Sequence, residues 1–199
     1  MPEKTIIMLS LGVVLCGGKS TRMGSDKGLL VKDEKIWAQI ISDLFIQLKI
    51  PFVVSCREEQ VSDYKKYFPV GKLITDKFSY SPKKIEGPLT GILSIHSEFP
   101  EKDLLIVACD MIQMSQNIML HLISEYKKNP DKDIYCYRLN ENTFVEPLCA
   151  IYSGNFLQKL LNDFQSGKQI PARLQQLVQT NRAYIIPTND NFAFSNFNS

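Results

Sequence analysis

The sequence predicts an α/β fold: a three-layer α/β/α sandwich around a mostly parallel sheet. Apolar strand-like segments alternate with amphipathic helical ones, which is the pattern of α/β proteins. The segment 104–108 is apolar on both faces, as in a central parallel strand. A glycine-rich loop directly follows the first apolar run, 6–15. We find no repeat, low-complexity tract or linker, so residues 1–199 are expected to form a single domain.

Composition excludes several classes of protein. A net charge of +2 provides no strongly basic face for nucleic acid or an anionic membrane, and no apolar run reaches the length of a membrane span. The five cysteines are odd in number and lack a Cys-x-x-Cys pair, which argues against a zinc site and fits the reduced thiols of a cytoplasmic protein. The apolar N-terminal run could be taken for a signal peptide, but Glu3 and Leu15 occupy unsuitable positions. We therefore expect a cytoplasmic, monomeric protein.

The first half of the chain predicts two helices between short strands. Apolar residues at helical spacing predict an amphipathic helix over 36–48. Strands follow at 52–55 and 73–75, with a helix between them that runs through Tyr67. Pro88 predicts the start of the next helix, because proline is favoured at the first helical position.

The second half predicts three helices and three strands after the strand at 104–108. Ser115 is a candidate cap for the first of these helices, because its hydroxyl can accept a hydrogen bond from an unpaired backbone N–H group. The other predicted elements are strands at 133–137, 145–152 and 183–186, and helices at 156–164 and 170–178, the last containing Arg173.

The loop after the first strand is a candidate phosphate-binding segment. Residues 17–27 contain three glycines and three cations, Lys19, Arg22 and Lys27. Glycine lets the backbone approach a ligand closely, and the cations supply the charge that a polyphosphate requires. A solvated turn is the simpler alternative, but so many cations among glycines favour phosphate. A P-loop is excluded because Val13 stands where its first glycine belongs, and no Gly-x-Gly-x-x-Gly follows the strand.

Two acidic residues are expected at the same edge of the sheet. Asp76 follows the predicted strand at 73–75 and Asp110 follows the apolar strand at 104–108. Ligands of open α/β sheets bind beyond the carboxyl ends of the strands. A lone Asp110 could simply cap a turn. Beside a phosphate loop, its carboxylate is better explained as a ligand of Mg²⁺, which takes one or two carboxylates plus substrate phosphates.

The thirteen-residue pattern Leu-x-Gly-Gly-x-Ser-x-Arg-Met-Gly-x-Asp-Lys, at 15–27, resembles that of the molybdenum cofactor guanylyltransferases. The resemblance continues in Gly87-Pro88-Leu89, Cys109-Asp110 and the segment 146–152. It implies a Rossmann-like nucleotidyltransferase fold. The nucleotide-binding residues that it implies are Leu15, Cys16, Gly17, Gly18, Lys19, Lys27, Asp76, Gly87, Pro88, Leu89 and Asp110.

The same resemblance implies roles for further residues. Arg22, Lys27 and Asp110 would be catalytic, Asp110 would bind Mg²⁺, and Asn196 and Asn198 would serve the pterin substrate. Cys16 stands where the family usually has alanine. Ser55-Cys56 replaces a segment whose asparagine contacts guanine in relatives.

The implied activity is transfer of GMP from GTP to molybdopterin, with release of pyrophosphate. GTP and molybdopterin would be the small-molecule substrates, and carrier or acceptor proteins of the cofactor would be transient partners. Two alternatives stay open at this point. One is a related nucleotidyltransferase that uses CTP or a sugar-phosphate acceptor, and the other is a nucleotide-binding module without catalysis.

Overall fold

A seven-stranded sheet forms the centre of the protein in its computed structural model, which describes residues 10–17, 26–78, 85, 87–139, 144–171, 173–190 and 192–194. The described strands are β1 (Ser10–Leu15), β2 (Val31–Lys32), β3 (Lys35–Ile36), β4 (Phe52–Cys56), β5 (Leu73–Thr75), β6 (Asp103–Ala108), β7 (Ile134–Leu139), β8 (Val145–Tyr152) and β9 (Ala183–Thr188). The sheet order is β5-β4-β1-β6-β8-β7-β9, and β2 and β3 form a separate hairpin.

Six of the seven sheet strands run in the same direction. β1 pairs in parallel with β4 and β6, β4 pairs in parallel with β5, and β7 pairs in parallel with β9. β8 is antiparallel to both of its neighbours. The prediction of a mostly parallel sheet is therefore confirmed. The glycine-rich loop leaves β1, at the centre of the parallel part.

Helices cover both faces of the sheet. They are α1 (Trp37–Gln47), α2 (Val61–Tyr64), α3 (Pro88–Glu98), α4 (Gln116–Lys128), α5 (Gly154–Gln165) and α6 (Leu174–Thr180), with 3₁₀ turns at Lys27–Leu29, Glu58–Gln60 and Val70–Lys72. Buried residues of α1, α2 and α4 form one apolar core with the sheet, and those of α3, α5 and α6 form the other. This arrangement is the predicted three-layer sandwich. None of the described helices is long and apolar enough to cross a bilayer.

The pleat of the strands explains why both faces need apolar residues. Successive side chains of a strand point to opposite faces. Val14 and Val107 lie in the core with α1, whereas Val13 and Ile106 lie in the core with α3. All four are fully buried, and each such burial stabilises the fold by about 1.5–3 kcal/mol relative to exposure. Central strands therefore appear in the sequence as continuous apolar runs.

Three local predictions were wrong or incomplete. The predicted helix through Tyr67 is a 3₁₀ turn followed by the single turn α2, and Pro69 disfavours a helical conformation at Phe68. The last helix begins at Leu174, so Arg173 precedes it in extended conformation. Pro171 similarly keeps Ile170 from helical conformation. The hairpin of β2 and β3 was not predicted, because its turn residues Asp33 and Glu34 have positive φ without glycine.

Candidate active site

A cavity lies beyond the carboxyl ends of β1, β4, β5 and β6. The residues that line it come from seven segments of the chain and are Leu15, Cys16, Gly17, Lys27, Ser55, Asp76, Gly87, Pro88, Gly91, Ala108, Cys109, Asp110 and Leu148. Eight of them were predicted to bind nucleotide, and Ser55, Gly91, Ala108, Cys109 and Leu148 were not.

The remaining predicted site residues are placed differently. Leu89 is 1% exposed and packs in the core with α3, so it supports the cavity wall without lining it. Gly18, Lys19, Arg22, Asn196 and Asn198 lie outside the described residues. Their assigned roles stay predictions.

Lys27 and Asp110 both line the cavity and meet there although they lie 83 positions apart in the sequence. The Lys27 ammonium donates a hydrogen bond from Nζ to Oδ2 of Asp110 at 3.1 Å. Their side chains are 20% and 17% exposed, respectively. In a pair this far removed from water, the loss of hydration of both charges offsets much of their attraction, so the pair is weak evidence for stability. The contact therefore matters more for where it places a cation and a carboxylate than for holding the fold together.

Asp76 and Ser55 present unpaired polar atoms next to the same cavity. Asp76 Oδ1 and Ser55 Oγ are buried and have no hydrogen-bond partner among the described residues. Gly91 allows this arrangement, because a Cβ at that position would lie 2.5 Å from Ser55 Oγ and 3.3 Å from Asp76 Oδ1. Buried polar groups are almost always paired in native proteins. These two atoms therefore indicate a ligand that brings its own polar groups.

Burial raises the pKa of Asp76 from its ordinary 3.8 to about 6, against the opposing effect of the Arg57 guanidinium. A carboxyl whose folded pKa is raised binds its proton more tightly in the native state. Its contribution to the free energy of unfolding is therefore highest below about pH 4 and is lost as the pH rises through about 6.

Replacing Asp76 by asparagine should consequently stabilise the protein at neutral pH. We expect Asp76→Asn to raise the free energy of unfolding by about 1 kcal/mol at pH 7.5, or roughly 2–4 °C in melting temperature, and by less at pH 5. Thermal unfolding at both pH values measures this, with the exposed Asp63→Asn as the matched control. A wild type at least as stable as the variant at pH 7.5 would contradict the placement of Asp76.

Glu146 is a second carboxylate near Asp110 that sequence reasoning gave no role. Its Oε1 accepts a hydrogen bond from the backbone N–H of Leu148 at 2.9 Å. Burial and the negative charge of Asp110 together raise the pKa of Glu146 to about 7, while the Leu148 N–H group opposes the shift. The pairing of β7 with β8 changes register between Cys136 and Tyr137, opposite this segment, and Leu148 lines the cavity. In the sequence, the only indication of a role for Glu146 was that the segment 146–152 shares the family resemblance described above.

The carboxylates at the cavity suit a hard cation that is bound together with a substrate. No group of three or more His, Cys, Asp or Glu side chains within the described ranges could hold a metal ion. A site built by protein alone, such as a zinc site, therefore does not fit this part of the chain. Mg²⁺ fits better, because it needs only one or two carboxylates when substrate phosphates and water complete its shell. Among the described residues, Asp76 and Asp110 are the carboxylates that line the cavity.

The cavity with its paired lysine and aspartate lies at the carboxyl edge of a mostly parallel sheet, which is where open α/β proteins bind their ligands. Residues 12–182 match the family model described as MobA-like NTP transferase domain. The chain therefore belongs to the MobA-like NTP transferase family, and it is a nucleotidyltransferase. The resemblance inferred from the sequence is confirmed.

Individual relatives agree with this assignment. The chain is 29% identical to the molybdenum cofactor biosynthesis bifunctional protein of Synechocystis, over 94% of the chain and 51% of that protein, so it spans about half of that relative. It is 26% identical to the molybdenum cofactor guanylyltransferase of Campylobacter jejuni, over 94% of the chain and 89% of that protein. The fold matches the crystal structure of molybdopterin-guanine dinucleotide biosynthesis protein A from Archaeoglobus fulgidus, with a TM-score of 0.72, 19% identity, and coverage of 96% and 92%.

Proposed function

We propose that this chain transfers GMP from GTP to molybdopterin in a Mg²⁺-dependent reaction and releases pyrophosphate. The observation that carries the proposal is the meeting of Lys27 and Asp110 at a cavity that Asp76 also lines. A module that only binds nucleotide has less need for a lysine and a carboxylate placed together. Residues 1–199 would act as one nucleotidyltransferase domain, since β1 and β9, the first and last described strands, belong to the same seven-stranded sheet.

The reaction would be an in-line substitution at the α-phosphorus of GTP. An oxygen of the pterin phosphate forms a bond to that phosphorus, and the bond to the bridging oxygen breaks as pyrophosphate leaves. No covalent protein intermediate is needed, so catalysis depends on positioning and electrostatics. Lys27 would stabilise the charge on the departing pyrophosphate, and the backbone near Gly17 would hold phosphate oxygens. Asp110 would hold Mg²⁺, which when bound neutralises charge on the phosphates.

Asp76 and Ser55 would contact the nucleoside. Both line the cavity, and both provide buried polar atoms without described partners. An acceptor such as Asp76 Oδ1 suits the N–H or O–H groups of a base or ribose. Because Ser55 replaces the asparagine segment of relatives, CTP remains the alternative nucleotide, and a sugar phosphate the alternative acceptor.

The pterin side would include Asn196 and Asn198. In support, the preceding Phe194 is buried, and its ring packs against that of Tyr137 with centroids 5.1 Å apart. This contact ties the segment before the asparagines to the body of the protein. Phe192, earlier in the same segment, is 68% exposed.

The setting that we propose is a cytoplasmic monomer that meets cofactor carrier or acceptor proteins transiently. All five cysteines are unpaired thiols, which suits a reducing compartment. The net charge of +2 supports small-molecule substrates over nucleic acid.

A nucleotide panel tests the base preference. With Mg²⁺ present, GTP at about 100 times its dissociation constant should stabilise the fold by roughly 2.7 kcal/mol, and CTP, ATP and UTP at equal concentration by less. Melting temperatures with each nucleotide measure the ranking, and pyrophosphate release on addition of molybdopterin then measures turnover. Equal or larger shifts with CTP would reverse the assignment of the base. Binding of GTP without pyrophosphate release would favour the module without catalysis.

A further inference from the structure

Asp26 belongs to the signature at 15–27, yet neither the resemblance nor the proposed mechanism gives it a task. It directly precedes Lys27 and caps the 3₁₀ turn Lys27–Leu29. Its half-buried carboxylate accepts three hydrogen bonds. Oδ1 accepts from the Gly28 N–H at 3.0 Å and from the Tyr64 hydroxyl at 3.0 Å, and Oδ2 accepts from Gln60 Nε2 at 2.7 Å.

The donors that hold Asp26 are themselves held in place. Tyr64 is fully buried, and Gln60 is 5% exposed. The Oε1 atom of Gln60 accepts a hydrogen bond from the Arg57 backbone N–H at 2.7 Å, which orients the amide so that its NH₂ group faces Asp26. The positions of the Gln60 and Tyr64 donors are therefore determined by the segment between β4 and β5, which lies 34 to 38 residues away from Asp26 in the sequence.

The turn that carries Lys27 also packs tightly on Tyr64. A Cβ on Gly28 would lie only 2.1 Å from the Tyr64 hydroxyl oxygen and 3.2 Å from the sulfur of Cys16. The backbone next to Lys27 therefore contacts the buried tyrosine directly. Shifting this turn would break the hydrogen bonds of Asp26 or open a gap beside Cys16.

We propose that Asp26 is a positioning residue that holds Lys27 where its ammonium meets Asp110 at the nucleotide cavity. It acts through its bonds to Gln60 and Tyr64, which join the Lys27 turn to the segment between β4 and β5. The effect on catalysis rests on the proposed function, whereas the effect on the Lys27–Asp110 contact does not. Asp26 itself lies outside the set of residues that line the cavity.

The hydrogen-bond directions give a specific exchange experiment. In Asp26→Asn, an amide N–H of residue 26 faces the side-chain N–H of Gln60, so two donors meet. In Gln60→Glu, the carboxylates of residues 26 and 60 face each other. Each single change therefore disrupts the hydrogen bond between residues 26 and 60. In the double variant Asp26→Asn/Gln60→Glu, the amide of residue 26 donates to the carboxylate of residue 60. That carboxylate can still accept from Arg57, and the oxygen of residue 26 can still accept from Gly28 and Tyr64. The double variant therefore keeps all of these hydrogen bonds, with the donor and the acceptor exchanged between residues 26 and 60.

The readout is the rate at which a small acetylating reagent modifies Lys27, measured by peptide mass spectrometry. Lys27 is paired and partly buried, so it should react slowly in the wild type, and Asp110→Asn gives the rate without the ion pair. We expect Asp26→Asn to raise the Lys27 rate at least threefold, and the double variant to return it to within twofold of wild type. Lys35, an exposed lysine paired with Asp43, is the internal reference and should not change.

Turnover supplies the second measurement. We expect Asp26→Asn to lower kcat at least tenfold with a smaller effect on KM, and to cost nothing further in the Lys27→Ala background. A Lys27 labelling rate that does not respond to Asp26→Asn overturns the proposal, whatever the substrate is. If Asp26→Asn does not fold, Tyr64→Phe is tested in its place. A Lys27 labelling rate that does not respond to Tyr64→Phe then overturns the proposal equally. Labelling that responds as expected in a protein that transfers no GMP would instead refute only the proposed function.

Discussion

Replacing Asp110 by asparagine is expected to abolish Mg²⁺-dependent turnover while leaving the fold in place. Asparagine has the same shape but carries no charge, so it is a much weaker ligand for Mg²⁺ than a carboxylate. Loss of a metal that neutralises phosphate charge removes several kcal/mol of transition-state stabilisation, and we expect a fall in kcat of at least about a thousandfold, or roughly 4 kcal/mol. Steady-state kinetics across Mg²⁺ concentrations measure the loss, and Mn²⁺ titration in the presence of nucleotide measures metal binding directly.

The chain offers a matched control for this variant. Asp43 forms a comparable pair with Lys35, 2.5 Å from its Nζ, at a position exposed to solvent. Asp43→Asn should leave turnover and Mn²⁺ binding unchanged. Because an exposed ion pair adds at most about 1 kcal/mol, Asp43→Asn should unfold within a few degrees of the wild type. Asp110→Asn should remain folded, because asparagine keeps the shape of aspartate. Turnover of Asp110→Asn within threefold of wild type at limiting Mg²⁺ would remove Asp110 from the metal site.

Replacing Lys27 by alanine should reduce turnover much more than it reduces nucleotide binding. The signature supplies two other cations, Lys19 and Arg22, that can share the binding of a triphosphate in the ground state. Negative charge develops on the bridging oxygen only as pyrophosphate leaves, so a cation positioned there stabilises mainly the transition state. Removal of one such positioned donor typically costs about 3–4 kcal/mol, or roughly a hundred- to thousandfold in kcat.

Two measurements separate this role from that of an ordinary solvated lysine. Calorimetric titration with GTP gives the dissociation constant, and pyrophosphate release gives kcat. Lys35→Ala removes a lysine of the exposed pair and should be nearly silent in both. A kcat loss below about fivefold for Lys27→Ala, worth some 1 kcal/mol, would leave Lys27 without a catalytic role.

Local patterns in the sequence were sufficient for most of the fold. The parallel strands β1, β4 and β6 are buried on both faces, so they read as continuous apolar runs, and α1 shows its apolar stripe directly. Ser115 and Pro88 start α4 and α3 as expected, because caps act within one turn of the chain. The end of β6 located Asp110. These features can be predicted because they depend on interactions between neighbouring residues, or on burial that leaves a regular pattern of apolar residues in the sequence.

Only the tertiary structure decided which distant residues act together. The sequence predicted that Lys27 and Asp110 belong to a phosphate site, but their contact across 83 positions depends on how β1 and β6 pair. The bonds from Gln60 and Tyr64 to Asp26, and the unpaired atoms of Ser55 and Asp76, left no sequence pattern. The physical reason is that hydrogen bonds between side chains are short and directional. Their partners are chosen by the packing of the whole chain, whereas strands and helices follow from periodicities of two and 3.6 residues.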